Sequence, residues 1–145
     1  MSDMLVWIPG EPKAQPRPKG VLRGGFVHFY TPPVADKWKG LIKEAIKASL
    51  TKFNPLAPFR VTMVFFFKRP STHYGSKNKV PYLRTGAPIS HTTKPDLDNL
   101  AKAVMDALSD VKLWNDDRQV IELEVSKRYG EGWTEGLQLS ITELP

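Results

Sequence analysis

Alternating apolar and polar positions predict the strands of this chain. Residues 3–9 and 26–30 have the length and composition of strands, and residues 59–68 are apolar on both faces, which predicts a central strand. Near the end of the chain, residues 119–128 and 136–142 alternate regularly, as the strands of a half-buried antiparallel sheet do. We therefore expect these two strands to pair, with inward-facing side chains at Ile121, Leu123 and Val125.

Two further segments have an apolar stripe at helical spacing. The first follows Pro33, a residue type favoured in the first turn of a helix, and runs to about residue 52 with Trp38 on its buried face. The second covers about residues 97–109. The order β-β-α-β-α-β-β predicts an α/β (α+β) fold, with one mixed β-sheet and two main helices in a single domain over residues 1–145.

Two segments lack either pattern. The first is rich in proline and basic residues, with Lys13, Arg17 and Lys19 beside Pro12, Pro16 and Pro18. Because proline fixes φ and removes a backbone donor, this segment is expected to be neither helix nor central strand. Residues 69–94 are predicted to form a loop, and a loop of that length in a compact domain is usually functional or disordered.

Composition excludes several kinds of chemistry. The chain has no cysteine, so it forms no disulfide, uses no thiolate nucleophile and holds no Cys-based zinc site. No apolar run approaches the roughly 20 residues that a membrane helix needs. The first residues also lack the basic and apolar regions of a signal peptide. We therefore expect no membrane association and a cytoplasmic location.

Charge is divided unevenly along the chain. Residues 1–95 contain 16 Lys and Arg against 4 Asp and Glu, whereas residues 96–145 contain 5 against 11. This division is typical of a protein with a basic surface for a polyanion and a separate acidic site. The alternative interpretation is a solvated basic surface that binds no partner.

Six of the 15 acidic residues lie between positions 96 and 117. Asp96 and Asp98 flank the predicted start of the second helix, and Asp116 and Asp117 precede the next strand. One aspartate at a helix start needs no explanation beyond capping. Clustered carboxylates, however, repel one another unless a cation or protons neutralise them.

Their oxygens suit Mg²⁺, which binds one or two carboxylates together with water and substrate phosphate. Ca²⁺ is a weaker alternative, because no EF-hand spacing is present. Lys102 follows Asp98 by one helical turn. It could form an ordinary ion pair with Asp98 or, beside a phosphate, stabilise negative charge in the transition state.

The same residues carry a resemblance to a known family. The runs Asp96-Leu97-Asp98-Asn99-Leu100-Ala101-Lys102, Asp106-Ala107-Leu108 and Trp114-Asn115-Asp116-Asp117-Arg118-Gln119-Val120 are similar to the signature of RusA-type Holliday junction resolvases. Residues 137–143 resemble the last strand of that family. The chain departs from the pattern at Pro95, where the family has a basic residue.

The resemblance implies a Mg²⁺-dependent endodeoxyribonuclease that acts as a homodimer and nicks opposed strands of branched DNA, a four-way junction. It implies Asp96, Asp98 and Asp117 as the essential catalytic and metal-binding carboxylates. Asp116 would be an adjacent metal-site position, and Lys102 a catalytic or DNA-contacting lysine. A nuclease for other branched or single-stranded DNA remains an alternative. So does a non-catalytic DNA-binding module whose aspartates only cap and neutralise.

Other candidate residues follow from residue type alone. Basic residues in the proline-rich segment and at the two ends of the predicted 69–94 loop are candidate phosphate contacts: Lys13, Arg17, Lys19, Lys68, Arg69 and Lys94. The three histidines, His28, His73 and His91, are interpreted as ordinary polar residues. The four tryptophans, Trp7, Trp38, Trp114 and Trp133, are candidates for stacking on unpaired bases, but Trp38 is assigned to the core and Trp114 to the turn before Asp116.

Overall fold

The computed structural model describes residues 2–145. Its main sheet has four strands, in the order β1 (Asp3–Pro9), β8 (Gly136–Glu143), β4 (Phe59–Phe67) and β7 (Val120–Tyr129). Strands β4 and β7 pair in parallel, and the other two pairings are antiparallel. Strand β7 therefore forms one edge of the sheet.

Two helices, α1 (Asp36–Ala48) and α2 (Leu97–Asp110), supply the other half of the core. Alternate residues of β4, including Val61, Met63 and Phe65, are completely buried beside Leu139 of β8 and Leu100 of α2. The opposite face of the sheet is more exposed, as Leu5 and Trp7 on β1 show. Helix α2 connects the parallel strands β4 and β7, so its two ends lie near the two ends of β7.

Two small hairpins extend the domain. Strands β2 (Lys19–Arg23) and β3 (Phe26–Tyr30) pair around Gly24 and Gly25, whose positive φ angles suit a tight turn. Strands β5 (Tyr74–Lys77) and β6 (Val80–Leu83) pair around Asn78 and Lys79, which also have positive φ.

The predicted α+β class, mixed sheet and two main helices are confirmed, and all seven predicted elements are present. Several details were wrong. The first helix ends at Ala48 because the backbone becomes extended at Ser49, and a short 3₁₀ turn at Pro33–Ala35 precedes it. The predicted loop contains the β5–β6 hairpin, and β2 adds another strand.

The predicted pairing of the last two strands was also wrong. Strand β4 lies between β7 and β8, which leaves β7 at the edge. Ile121 and Leu123 are 64% and 48% exposed rather than buried, because α2 does not cover this edge. Trp38 and Trp114 are buried as predicted. Among residues 2–145, no helix has the length and hydropathy needed to span a membrane.

Candidate active site

Asp96 and Asp98 stand at the exposed start of helix α2. Asp96 occupies the N-cap position, but its side chain accepts no capping hydrogen bond. The Oδ1 atom of Asp98 accepts a hydrogen bond of 2.9 Å from the backbone N–H of Asn99. Because the Asp96 carboxylate does not cap the helix, the capping interpretation does not account for it.

Asp116 and Asp117 lie in the turn before β7 and have different surroundings. The Oδ1 atom of Asp116 accepts from the Arg118 N–H at 2.9 Å, and Gln119 Oε1 accepts from the Asp116 N–H at 2.8 Å. This capping box begins the 3₁₀ turn Asp117–Gln119. The bond from Arg118 lowers the pKa of Asp116 below its usual value. Asp116 thus fixes the turn, whereas the Asp117 side chain is exposed.

Two side chains hold the turn against the core: Trp114, which was assigned to this turn from the sequence, and Gln119, whose role was not predicted. Gln119 Nε2 donates to the carbonyls of Pro55 and Ala57, each at 2.8 Å. The Trp114 indole packs 5.5 Å from the ring of Phe59, centroid to centroid. The D-x-x-Q spacing of Asp116 and Gln119 was the available signal, since an acidic cap three residues before a glutamine favours a capping box.

A groove of about 720 Å³ between α2 and β7 brings several charged side chains together. Asp98, Lys102 and Asp106 lie along it at successive turns of α2, and Asp117 also lines it. Its apolar lining comes from Leu97, Ala101, Met105, Leu123 and Val125. The three ion pairs of the described chain do not include Lys102, so its ammonium group is available to a phosphate.

The carboxylates do not converge on one point within a single chain. Among residues 2–145, no three acidic or histidine side chains come close enough to hold a metal ion together. Asp98 and Asp106 are separated by about 12 Å along the helix axis. Asp106, and not Asp98, shares a second cavity with Asp117. Asp117 therefore lies towards the far end of α2 from Asp96 and Asp98.

Comparison with known proteins shows the family of the chain. The sequence model described as Endodeoxyribonuclease RusA matches residues 9–141. The chain belongs to the RusA endodeoxyribonuclease family. It is 34% identical to the uncharacterized protein YqaN of Bacillus subtilis (strain 168) over 122 residues, which are 84% of each chain. It is 28% identical to the crossover junction endodeoxyribonuclease rusA of Lactococcus phage r1t over 112 residues, 73% of this chain and 75% of the phage protein.

The backbone before the aspartates of this RusA endonuclease is held in place by Lys127. The ammonium group of Lys127 donates to the carbonyls of Thr93 and Pro95 at 2.6 and 2.8 Å. The N–H of Gln15 donates to the carbonyl of Asn99 at 2.9 Å, which ties the basic N-terminal segment to the first turn of α2. Lys127 was not among the predicted site residues, and nothing in its sequence context distinguishes it from a surface lysine.

Three of the six predicted phosphate contacts lie together in the structure. Lys13, Lys68 and Lys94 line one cavity of about 380 Å³ beside the start of α2. Arg69 lies next to it, with its guanidinium 4.5 Å from the ring centroid of Tyr129. Arg17 and Lys19 are exposed farther along the N-terminal segment, where β2 begins. Lys13 also pairs with Glu11 at 3.2 Å.

His91 is the buried histidine of the described residues, at 8% exposure. Its ring packs 4.5 Å from Phe67 and 4.9 Å from Tyr129, and its Nδ1 atom has no hydrogen-bond partner. Burial, with a smaller contribution from the positive charge of Lys127, lowers the pKa of His91. The neutral ring therefore helps to support the segment that leads to Asp96.

Proposed function

We propose that this RusA endodeoxyribonuclease is a Mg²⁺-dependent resolvase that cuts four-way DNA junctions by paired nicks. The observation that carries the proposal is the pair of exposed carboxylates at Asp96 and Asp98, next to a cluster of lysines. The Lactococcus phage relative is named as a crossover junction endodeoxyribonuclease, which supports a branched substrate. The lysines can hold the phosphates of a DNA strand while the carboxylates face the bond to be cut.

The donor set fits Mg²⁺. Asp96 and Asp98 are exposed, separated by one residue, and offer hard oxygen ligands, and Mg²⁺ typically binds one or two carboxylates while keeping water and substrate phosphate. When bound, the metal would activate a water molecule and neutralise charge on the scissile phosphate. Asp116 is less suited to this role, because it already caps the turn.

Lys102 has a separate role in the proposal. It lies one turn after Asp98 in the same groove, exposed and outside the ion pairs of the described residues. Its ammonium group can therefore approach a non-bridging phosphate oxygen and stabilise charge that develops there. Asp117 completes the set of carboxylates only if it can reach the start of α2.

A homodimer would bring Asp117 of one chain to the start of α2 in the other. Strand β7 is an edge strand with unpaired backbone groups, and Ile121 and Leu123 expose apolar surface beside it. A second copy can pair its own β7 antiparallel to this edge around a two-fold axis. Because α2 and β7 run in opposite directions, this arrangement carries the partner subunit's Asp117 towards Asp96 and Asp98. Each metal site would then contain residues of both chains.

Mixing two inactive variants tests this arrangement. Asp98→Asn and Asp117→Asn each remove one carboxylate from every site of a homodimer. With Mg²⁺ present, each variant alone should therefore cut the junction at least about 100-fold more slowly than the parent enzyme. In a mixed dimer with shared sites, both substitutions fall in one site and the other site is intact. Mixing should therefore restore nicking by the intact site.

If all carboxylates of a site came from one chain, both sites of the mixed dimer would remain damaged and mixing would restore nothing. That result would overturn the shared site but not the nuclease activity. Asp36→Asn is the matched control, because Asp36 is also an exposed aspartate in the first turn of a helix. It should cut like the parent. Leu123→Glu should weaken the dimer, which sedimentation can measure, and reduce cleavage with it.

A further inference from the structure

A second cavity lies between the β5–β6 hairpin and the connection from β7 to β8, apart from the groove between α2 and β7 that Asp98, Lys102, Asp106 and Asp117 line (the aspartate groove). Its volume is about 910 Å³, which is enough for a ligand the size of one or two nucleotides. Four aromatic side chains line it: Tyr74, Tyr82, Tyr129 and Trp133. Flat aromatic faces of this kind are what unpaired bases stack on.

Several of the lining side chains are unusually exposed for their type. Trp133 is 82% exposed, Ile89 is 89% exposed and Tyr82 is 50% exposed. A contiguous exposed apolar surface on a protein usually marks a binding site. The shape of this one, a recess rather than a flat patch, favours insertion of a compact planar group.

Cations surround the aromatic lining. The Arg69 guanidinium lies 4.5 Å from the Tyr129 ring centroid, and the Lys68 ammonium lies 5.4 Å from that of Trp133. The cavity also contains Glu131, its acidic lining residue, whose carboxylate can accept a hydrogen bond from a base amino group. Basic groups at an aromatic recess complement a nucleotide, which has a phosphate at one end and a stacking base at the other.

The cavity is also connected to the start of α2. Lys127 lines it, and the same ammonium group donates to the carbonyl of Pro95 at 2.8 Å, one residue before Asp96. A strand whose phosphate lies at Asp96 and Asp98 therefore has a neighbouring nucleotide within reach of the recess. These aromatic residues have no role in the proposed metal site.

We propose that this cavity accepts an unpaired nucleobase from the DNA strand next to the scissile phosphate. The inference rests on the proposed junction substrate and adds a second point of recognition to it. Holding the base outside the stack would fix the strand at the cleavage position, and bases at a branch point require the least energy to unstack. Trp133 and Tyr82 supply the stacking surface, and Arg69 and Lys68 hold the adjoining phosphates.

The test uses a four-way junction in which a single abasic nucleotide is placed in turn at each position around the cut. Binding is measured by fluorescence anisotropy without divalent metal, so that cleavage does not interfere. For the parent enzyme, one position should weaken binding roughly 5- to 100-fold, the range expected for loss of one stacked base. Trp133→Ala should weaken binding of the intact junction by a similar factor, and Tyr82→Ala should act in the same direction.

The decisive result is the combination. When Trp133→Ala binds the junction with the sensitive abasic position, we expect no further loss of affinity, because both changes remove the same contact. Trp133→Phe should restore most of the affinity, and Leu50→Ala, at a side chain that is 94% exposed after α1, should leave it unchanged. Losses that multiply, or no sensitive abasic position, would overturn the base-binding cavity while leaving junction cleavage intact. A parent enzyme that fails to bind the junction at all would instead remove the proposed function and this inference together.

Discussion

At the scale of single residues, Asp116 and Asp117 show how adjacent identical side chains take different roles. Asp116 accepts the Arg118 N–H and begins a 3₁₀ turn, whereas Asp117 is exposed at the aspartate groove. The sequence places both in one acidic pair, and only the capping geometry separates them.

This difference predicts opposite phenotypes. Asp116→Ala removes the cap and should lower the melting temperature by about 3 °C, while cleavage by the folded enzyme falls only modestly. Asp117→Ala should leave the melting temperature nearly unchanged and abolish most cleavage. Thermal melts and single-turnover cleavage of both variants check this prediction. Equal losses of activity with no change in stability would show that Asp116 is also a ligand.

We expect His91 to make the stability of the protein depend on pH. Burial lowers its pKa in the folded state, so the unfolded chain binds a proton more readily as pH falls. The stability that the neutral ring contributes should therefore be complete above about pH 6.5 and decrease as pH falls towards the folded-state pKa. His91→Phe keeps an aromatic ring between Phe67 and Tyr129 and removes the titration. The free energy of unfolding, measured with denaturant between pH 5 and 7, should change less with pH for His91→Phe than for the parent.

At the scale of elements, the regular patterns predicted most of the secondary structure. The apolar stripe of α2 is buried as expected, because this face of the helix packs on the core. Strand β4 lies inside the sheet as expected, and its alternate residues are buried in the core. Strands β5 and β6 were missed because Gly75, Lys77 and Pro81 interrupt any alternation, and most of their side chains are exposed. Ile121 and Leu123 alternate correctly, yet periodicity cannot show whether a strand lies at the edge of its sheet.

The candidate site was predictable to a similar extent. The residue runs and the family resemblance nominated Asp96, Asp98, Lys102 and Asp117, and the structure places Asp98, Lys102 and Asp117 along one groove. It could not be predicted that Asp98 and Asp117 lie near different ends of α2, because that depends on the relative direction of α2 and β7. The role of Lys127 was also hidden, since its partners are backbone carbonyls more than 30 residues away in sequence.

Lys127 allows a test of how one strand positions another element. Lys127→Met keeps the length of the side chain but removes both hydrogen bonds to the segment before Asp96. We expect cleavage to fall about 10-fold, in line with the loss of a supporting contact at a metal site. Hydrogen exchange at residues 93–99 should increase, and Lys127→Arg should recover part of both. Unchanged exchange in Lys127→Met would remove the positioning role.

At the scale of the whole molecule, charge separates binding from chemistry. The first 95 residues have a net charge of +12 and the remainder −6. Lysines from the N-terminal segment, from the residue after β4 and from the segment before α2 meet beside the aspartates. A DNA strand can therefore be attracted over a broad surface, while the acidic groove repels its phosphates unless a cation is present. Under the proposed function, we therefore expect metal to be required for cutting but not for binding.

Binding should accordingly depend strongly on salt. Each phosphate contact releases counterions, so the junction affinity measured without divalent metal should fall steeply between 50 and about 200 mM NaCl. Changing Lys13, Lys68 and Lys94 together to Ala should make that dependence shallower. The same change at Lys37, Lys47 and Lys52, on and just after α1, is the matched control and should alter the slope less. Identical slopes for the two triple variants would contradict the assignment of the basic surface.

The most direct measurement is cleavage of a synthetic four-way junction by the parent enzyme and by Asp98→Asn, with Mg²⁺ and with EDTA, beside a linear duplex of the same sequence. We expect paired nicks at the junction by the parent enzyme in Mg²⁺ but not in EDTA, and little cutting of the duplex. We also expect Asp98→Asn to bind the junction at least as tightly as the parent but not to cut it. Equal cutting in EDTA, or normal cutting by a folded Asp98→Asn, would contradict the metal-dependent site at the start of α2.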